Sequence, residues 1–210
     1  MNGADKLFKD ICEKPVLAHS LTAFQICDLV NEIIIVTRED CISLVSDICE
    51  KYDITKASKI IVGGEKRLHS VTNGVYTISE KAEIVAIHDG ARPCVSQDII
   101  KNTIISAKRN NAAAPAVPVI STIKRVHNSY ITETIDRQEL YEIQTPQVFD
   151  ADLIKAALAN ANEKKIDATD DCSIVELLGA TVYITDGSRN NIKLTTSEDM
   201  IIAEAIINSR

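Results

Sequence analysis

One stretch decides the fold of this chain, and it runs Ile84-Val85-Ala86-Ile87-His88-Asp89-Gly90-Ala91-Arg92-Pro93. Its four leading apolar residues are typical of a strand buried on both faces, as in the middle of a parallel sheet. The strand ends at Asp89 and Gly90, where glycine permits a turn. Asp89 and Arg92 are therefore left at the carboxyl end of a central strand, which is where open α/β sheets bind ligands. The same stretch is also compatible with a plain turn in which these two side chains pair with each other.

Outward from this stretch, apolar strands alternate with amphipathic helices. The sequence predicts strands near residues 32–37, 59–62, 84–87, 112–119 and 181–185. It predicts helices near residues 15–24, 41–52, 68–79, 96–109 and 151–160, a short helix capped by Asp170 or Asp171, and a last helix capped by Thr195, Thr196 or Ser197 with Ile202 and Ile206 facing inward. Such alternation indicates right-handed crossovers. We therefore expect an α/β fold with a doubly wound, mostly parallel, Rossmann-like sheet in a single domain, residues 1–210.

The alternation breaks at residues 120–143. Segments 121–126 and 130–135 have the pattern of two strands joined by a short turn. A lone two-stranded hairpin is marginally stable in water, so its apolar residues need a cover. A second copy of the chain would supply one, and we predict a protruding β-hairpin dimerisation arm and a homodimer. The alternative is that the hairpin folds back onto its own domain.

Composition limits the class of protein. The formal charge of −7 over 210 residues argues against a nucleic-acid or membrane partner, although a local group of cations could still bind an anionic small molecule. No apolar run reaches the roughly 18–20 residues of a membrane span, and no signal-peptide pattern opens the sequence. Six scattered cysteines without a C-x-x-C spacing predict free thiols, a cytoplasmic location and no metal site.

Loops after the predicted strands carry polar side chains of complementary kinds. Gly63-Gly64-Glu65-Lys66-Arg67 precedes Ser70 at a helix start, where glycines allow close backbone approach and the helix N-terminus favours anions. Gly-Gly after a strand is also common in a plain turn. Lys193 and the hairpin residues Thr122, Lys124 and Arg137 add cations and a hydroxyl, which together predict a phosphate site. His88 is expected to be a hydrogen-bonded core histidine rather than a base.

The order of these motifs resembles one family, the 2-C-methyl-D-erythritol 4-phosphate cytidylyltransferases. The motifs that carry the resemblance are Gly63-Gly64-Glu65-Lys66-Arg67-Leu68-His69-Ser70-Val71, His88-Asp89-Gly90-Ala91-Arg92-Pro93, Thr122-Ile123-Lys124, Asp136-Arg137, Gln144-Thr145-Pro146-Gln147, Thr169-Asp170-Asp171 and Asn191-Ile192-Lys193. They span nearly the whole chain. A sister family that makes CDP-ribitol from ribitol 5-phosphate shares most of them. The stretch 88–93 is closer to the methylerythritol enzymes, which usually have Ala where Gly90 stands.

The resemblance implies a reaction between two phosphates. The phosphate of 2-C-methyl-D-erythritol 4-phosphate would attack the α-phosphate of CTP and release pyrophosphate, with Mg²⁺ bound mainly through the CTP phosphates. Catalysis of this kind is positioning and charge neutralisation.

The resemblance also implies a role for each matching site residue. Cytosine and ribose would be held by Gly64, Glu65 and Ser70, and Asp89 would lie between the metal-nucleotide and the polyol. The polyol pocket would be lined by Arg92, Thr145 and Thr169, and the polyol phosphate in the partner subunit's site would be reached by Thr122 and Arg137. Positive charge would come to the reacting phosphates from Lys6 and Lys193.

The start of the chain departs from the family pattern. The family opens with a strand and a glycine-rich loop that ends in Arg-Met, whereas this sequence opens at Met1 and has Asp5 where the family has a proline before the lysine. We therefore expect the first strand and its phosphate-binding loop to be missing. Two explanations follow from that expectation. Either Met1 is a wrong or internal start and the working protein is longer, which the intact remaining motifs favour, or the chain is a real truncation with a damaged nucleotide site. The second explanation motivates a third hypothesis, a truncated and catalytically silent dimer that still binds a ligand or partner.

Overall fold

The structure is a computed structural model that describes residues 5–166 and 168–210. The helices are α1 Val16–Gln25, α2 Ile42–Lys51, α3 Arg67–Val75, α4 Gln97–Asn110, α5 Ala151–Glu163, α6 Asp171–Glu176 and α7 Ser197–Asn208, with short 3-10 helices at Asp5–Phe8 and Glu39–Cys41. The strands are β1 Asp10–Ile11, β2 Lys14–Pro15, β3 Ile33–Thr37, β4 Ala57–Val62, β5 Ile84–Ile87, β6 Ala112–Pro118, β7 Ile123–His127, β8 Tyr130–Ile135, β9 Tyr141–Ile143, β10 Gln147–Asp150 and β11 Tyr183–Asp186.

The main sheet is mixed rather than mostly parallel. Its strand order is β11-β6-β10-β5, with β9 also paired to β6. β11 runs parallel to β6, but β10 is antiparallel to both of its neighbours. β3 and β4 form a separate parallel pair. The α/β class is confirmed. The described sheets differ from the expected one because β10, which was not predicted as a strand, inserts between β5 and β6 and is antiparallel to both.

Strand β10 divides the core into two layers. Successive side chains of a strand point to opposite faces of its sheet. Phe149 packs in a cluster with Ile154 and Leu158 of α5, whereas Val148 packs in a second cluster with Ile100 of α4. All five of these side chains are fully buried. The helices thus cover both faces of the sheet, and the carboxyl end of β5 is held between them.

A cavity of about 680 Å³ lies beside β3 and β5, and residues of both strands line it. Within residues 5–166 and 168–210, β3 pairs only with β4 and β5 only with β10. Arg67, Ser70 and Asp89 line the same cavity, so it connects the apolar strands with the polar loops. The absence of a first strand and glycine-rich loop stays a prediction.

The predicted hairpin stands out from the domain. β7 and β8 pair with each other, and every residue of β7 is exposed. Tyr130 next to the turn is 77% exposed. β9 ties the base of the arm to β6. The alternative in which the hairpin folds back onto its own domain is therefore wrong, whereas dimerisation through the arm stays a prediction.

The predicted caps of α6 and α7 are present, and one of the two predicted inward-facing residues of α7 is exposed. Asp170 accepts a hydrogen bond from the Ser173 amide and caps α6, and Thr196 caps α7 in a capping box with Asp199. Ile206 is buried as predicted, but Ile202 is exposed because the inward face of α7 runs through Ala203 and Ile206. In the part of the chain that the structure describes, no helix has the length and apolarity to cross a membrane.

Candidate active site

A cluster of charged side chains lies where β5 ends. The Oδ2 atom of Asp89 is 2.9 Å from Lys193 Nζ and 3.6 Å from Arg92 Nε. Asp89 and Arg92 are 17% and 11% exposed, whereas Lys193 is 45% exposed. Burial alone would raise the pKa of Asp89, but Lys193, together with Arg67 and Arg92, outweighs burial and lowers it. The cluster is thus an ionised carboxylate with one solvent-accessible ammonium beside it, which suits an anionic ligand.

The backbone explains why Lys193 meets Asp89. The Leu194 amide donates to the Ala91 carbonyl at 2.9 Å, and Arg92 Nη1 donates to the Asn191 carbonyl at 2.7 Å. The late segment 191–194 is therefore laid against the loop after β5. The Asp89–Arg92 pair of the plain-turn alternative is present, and Asp89 pairs with Lys193 in addition. Arg92 acts here chiefly as an anchor between the two segments.

Beneath Asp89 lies a hydrogen-bonded chain that includes a half-buried histidine. The Asp89 amide donates to Thr145 Oγ1 at 3.1 Å, and Thr145 Oγ1 lies 3.0 Å from His88 Nδ1. His88 Nε2 lies 3.4 Å from the Arg92 carbonyl, and burial lowers the pKa of His88 to about 4. A neutral ring that donates from Nε2 and accepts at Nδ1 satisfies every contact. The prediction that His88 is a hydrogen-bonded histidine is confirmed, but its ring is half-buried and lines the cavity rather than lying in the core.

Thr145 has a structural role, supporting the Asp89 turn, that the sequence did not indicate. Its side chain is buried, and its hydroxyl is occupied by the Asp89 amide and the His88 ring. In this arrangement it supports the Asp89 turn from below. A direct contact with the polyol stays a prediction.

The glycine loop, residues 63–66, is hydrogen-bonded to the start of α3. The Gly64 amide donates to Ser70 Oγ at 3.0 Å. A Cβ atom on Gly64 would lie 2.2 Å from the Cβ of His69, so only glycine fits. Glu65 follows at an exposed position. Gly64 is thus required by the close approach of the loop to its own helix, and Ser70 lines the cavity.

Comparison with known proteins decides the family. A family model described as 2-C-methyl-D-erythritol 4-phosphate cytidylyltransferase matches residues 1–209. A protein of that name from Halalkalibacterium halodurans is 42% identical over 205 residues, which cover 98% of this chain and 90% of the relative. One from Alkaliphilus oremlandii is 43% identical over 208 residues, covering 98% and 88%. The chain belongs to this cytidylyltransferase family.

Solved structures give the same fold. The 4-diphosphocytidyl-2C-methyl-D-erythritol synthase of Anaerococcus prevotii aligns with a TM-score of 0.87 and 32% identity, covering 95% of this chain and 88% of that one. The 2-C-methyl-D-erythritol 4-phosphate cytidylyltransferase of Thermus thermophilus aligns with a TM-score of 0.81 and 26% identity, covering 98% and 95%. The cytidylyltransferase fold therefore covers nearly all of the described chain.

Not every residue that the family resemblance named lies in the charged cluster. Arg137 donates to the Ile120 carbonyl at the base of the arm, and Thr122 is exposed near it. Thr169 is exposed just before the cap of α6. Lys6 lies in the first 3-10 helix, whose Leu7 would be 3.9 Å from a Cβ on Gly90. The structure thus brings Asp89 into contact with Arg92 and Lys193, and the roles of Thr122, Arg137, Thr169 and Lys6 stay predictions.

Two buried glutamine side chains that hold loops of the cytidylyltransferase site together were missed as functional residues. Gln144 Oε1 accepts from the Ser188 amide and from Asn191 Nδ2. Gln147 Oε1 accepts from the Asp171 and Cys172 amides, while its Nε2 donates to Asp170. Their signal was present in the sequence as two glutamines flanking Thr145-Pro146. A buried amide side chain needs hydrogen-bond partners, and glutamines next to a buried segment are therefore expected to bond to the backbone of neighbouring loops.

Proposed function

We propose that this chain transfers CMP from CTP to 2-C-methyl-D-erythritol 4-phosphate and releases pyrophosphate, a step of isoprenoid biosynthesis. It is then a CTP-dependent nucleotidyltransferase. The Asp89–Lys193–Arg92 cluster at the end of β5 carries the proposal, in a chain that matches the family model over residues 1–209. Ribitol 5-phosphate is the alternative substrate, and the relatives favour the methylerythritol compound because they are named for it.

Positive charge is the main contribution of the protein to this reaction. Lys193 is exposed and held by one carboxylate, so its ammonium can turn from Asp89 toward a phosphate oxygen. As charge builds on the phosphates, an ammonium already aimed at them lowers the barrier without reorganisation. Lys6 is proposed to add a second cation. Asp89 then faces the polyol hydroxyls, and Arg92 keeps the loop in place through Asn191.

The nucleoside end is assigned to the glycine loop. Ser70 Oγ donates to the Lys66 carbonyl at 3.2 Å and accepts from the Gly64 amide, so the loop and the helix start form one unit. Gly64, Glu65 and Ser70 would present backbone and side-chain polar atoms to cytosine and ribose. The polyol end is assigned to Arg92, Thr145 and Thr169.

Mg²⁺ is proposed to enter with the nucleotide. Among the described residues, no group of three His, Cys, Asp or Glu side chains could hold a metal ion. Both ion pairs of Asp89 use Oδ2, which leaves Oδ1 as a donor of the hard oxygen type that Mg²⁺ prefers. The ion would neutralise the triphosphate when bound, with Asp89 as its ligand from the protein.

A homodimer through the arm is proposed as well. The exposed apolar residues of the hairpin include Val126, Tyr130 and Ile131. Val126 and Ile131 lie opposite each other across β7 and β8, and exposed apolar surface of this kind marks an interaction surface. In the dimer, Thr122 and Arg137 would reach the polyol phosphate in the partner's site.

Replacement of Lys193 tests the proposal. Lys193→Met should lower turnover of CTP and 2-C-methyl-D-erythritol 4-phosphate by about a hundred-fold or more, since one lost electrostatic contact to a developing charge costs about that much. Lys101→Met is the matched control, because Lys101 pairs with Asp28 at 2.7 Å on the surface. Equal activity of the two variants would refute the assignment of Lys193.

A further inference from the structure

A second ion pair joins two parts of the site that are far apart in sequence. Arg67, the first residue of α3, donates from Nη1 and Nη2 to the two carboxylate oxygens of Asp171, the first residue of α6, at 2.9 and 2.5 Å. The Asp171 side chain is 1% exposed. A bidentate fork of this kind fixes orientation as well as distance.

The Asp171 end of this pair is rigidly supported. Its backbone amide donates to Gln147 Oε1 at 2.9 Å, and the following Cys172 amide donates to the same atom at 3.0 Å. Gln147 lies on β10 and is buried in the sheet. Gln147 also holds Asp170, the cap of α6, at 2.9 Å. The position of Asp171 is thus set by the sheet itself, and Arg67 attaches to it.

The Arg67 end leads directly into the nucleotide side of the site. Arg67 follows the loop that carries Gly64 and Glu65, and one turn later the helix presents Ser70. Thr169, assigned to the polyol, lies two residues before Asp171. The Arg67–Asp171 pair therefore connects the protein segment proposed to bind the nucleotide with the segment proposed to bind the polyol.

Each member of the Arg67–Asp171 pair stabilises the charged form of the other. Burial raises the pKa of Asp171, and the Arg67 guanidinium opposes that rise. Arg67 also acts on Asp89 and Asp170 through space. Removal of Arg67 would leave three neighbouring carboxylates with less positive charge, and removal of Asp171 would leave the guanidinium without its fork.

We propose that Arg67 and Asp171 are a positioning pair that locks the glycine loop to the start of α6 and thereby sets the distance between the two substrates. The inference rests on the proposed function. Neither residue is assigned a contact with substrate, so the pair acts through Gly64 and Ser70 on one side and Thr169 on the other. A displacement on the order of 1 Å in such a site can cost about a hundred-fold in rate.

Steady-state kinetics of Arg67→Gln, Asp171→Asn and the double variant test the pair. Each single variant should lower kcat by about ten-fold to a hundred-fold while KM for CTP and for the polyol phosphate changes by less than about three-fold. The double variant should be no worse than the poorer single variant, because both changes break the same link. Arg67→Lys should keep the charge, lose the fork and recover only part of kcat.

The chain offers a matched control. Arg38 and Asp40 form another two-bond pair, at 3.0 and 2.8 Å, but their side chains are 54% and 68% exposed. Arg38→Gln and Asp40→Asn should leave kcat within about two-fold. Two results would overturn the proposal. One is a rise in KM with unchanged kcat in the single variants, and the other is a loss of kcat in the double variant equal to the product of the two single losses.

A readout without catalysis separates this inference from the proposed function. Amide hydrogen exchange in residues 63–70 should be faster in Asp171→Asn than in the unaltered chain, with α2 unchanged. An unaltered chain that fails to turn over CTP would count against the function, and the exchange result would still decide the pair. Unchanged amide exchange of residues 63–70 in Asp171→Asn would refute the proposal that the pair holds the glycine loop in place.

Discussion

His88 should make the stability of this protein depend on pH in a way that one substitution removes. The imidazole is packed 4.8 Å from the Phe24 ring and bonded to Thr145 and Arg92, and burial lowers its pKa to about 4. In the unfolded chain its pKa returns to about 6.5. Between these two values the unfolded state binds more protons than the folded state. The free energy of unfolding therefore rises with pH across this window and is lost as pH falls from 6.5 toward 4.

The size of the effect follows from the two pKa values. The gap is about 2.5 pH units, and each unit is worth about 1.4 kcal/mol, so the full loss below pH 4 is about 3 kcal/mol. Between pH 7 and pH 4.5 we expect about 2 kcal/mol, because the lowest part of the window lies outside that range. This is a large fraction of the 5–15 kcal/mol typical of a folded domain.

Urea unfolding at pH 7, 6, 5 and 4.5 measures this dependence. Comparison of the unaltered chain with His88→Gln isolates the histidine, because the titration of carboxylates such as Asp89 is common to both proteins. The difference in unfolding free energy between the two should change by about 2 kcal/mol across the series. His127→Gln, on the exposed hairpin, should keep the full dependence. A dependence in His88→Gln as steep as in the unaltered chain, or one of opposite sign, would refute the reasoning.

Three further predictions concern the site, the arm and the core. Asp89→Asn removes the partner of Lys193 and Arg92 and should lower the steady-state rate of pyrophosphate release by about a hundred-fold. Arg137→Ala should lower turnover strongly while CTP binding, measured by calorimetry, stays nearly intact; an equal loss of CTP binding would contradict the role of the arm. Phe149→Ala should lower the free energy of unfolding by about 3–5 kcal/mol in urea, whereas Leu44→Ala on the exposed side of α2 should change it by less than about 1 kcal/mol.

Much of the scaffold could be predicted because its signals are local. The apolar run of β5 and the glycine after it mark the strand and the loop without reference to any other segment. Helix α4 has its periodic apolar face and its Ser96 cap in the sequence itself. Loops after strands of one sheet meet at one edge, which is why Asp89 and Lys193 could be proposed for one site.

The parts that could not be predicted depend on contacts between distant residues. β10 has only Val148 and Phe149 as apolar residues, so its insertion between β5 and β6 is decided by burial in the sheet rather than by a local pattern. Arg67 and Asp171 are 104 positions apart, and no spacing links them. The contacts of the Thr145 hydroxyl with the Asp89 amide and the His88 ring likewise join distant segments, and the sequence does not show them.

The central claim is tested most directly by pyrophosphate release from CTP and Mg²⁺ with either 2-C-methyl-D-erythritol 4-phosphate or ribitol 5-phosphate as acceptor. The account predicts release that requires both CTP and the methylerythritol compound, with 4-diphosphocytidyl-2-C-methyl-D-erythritol as the product and a much lower rate with ribitol 5-phosphate. A folded protein that releases no pyrophosphate, or one that turns over ribitol 5-phosphate faster, would contradict it.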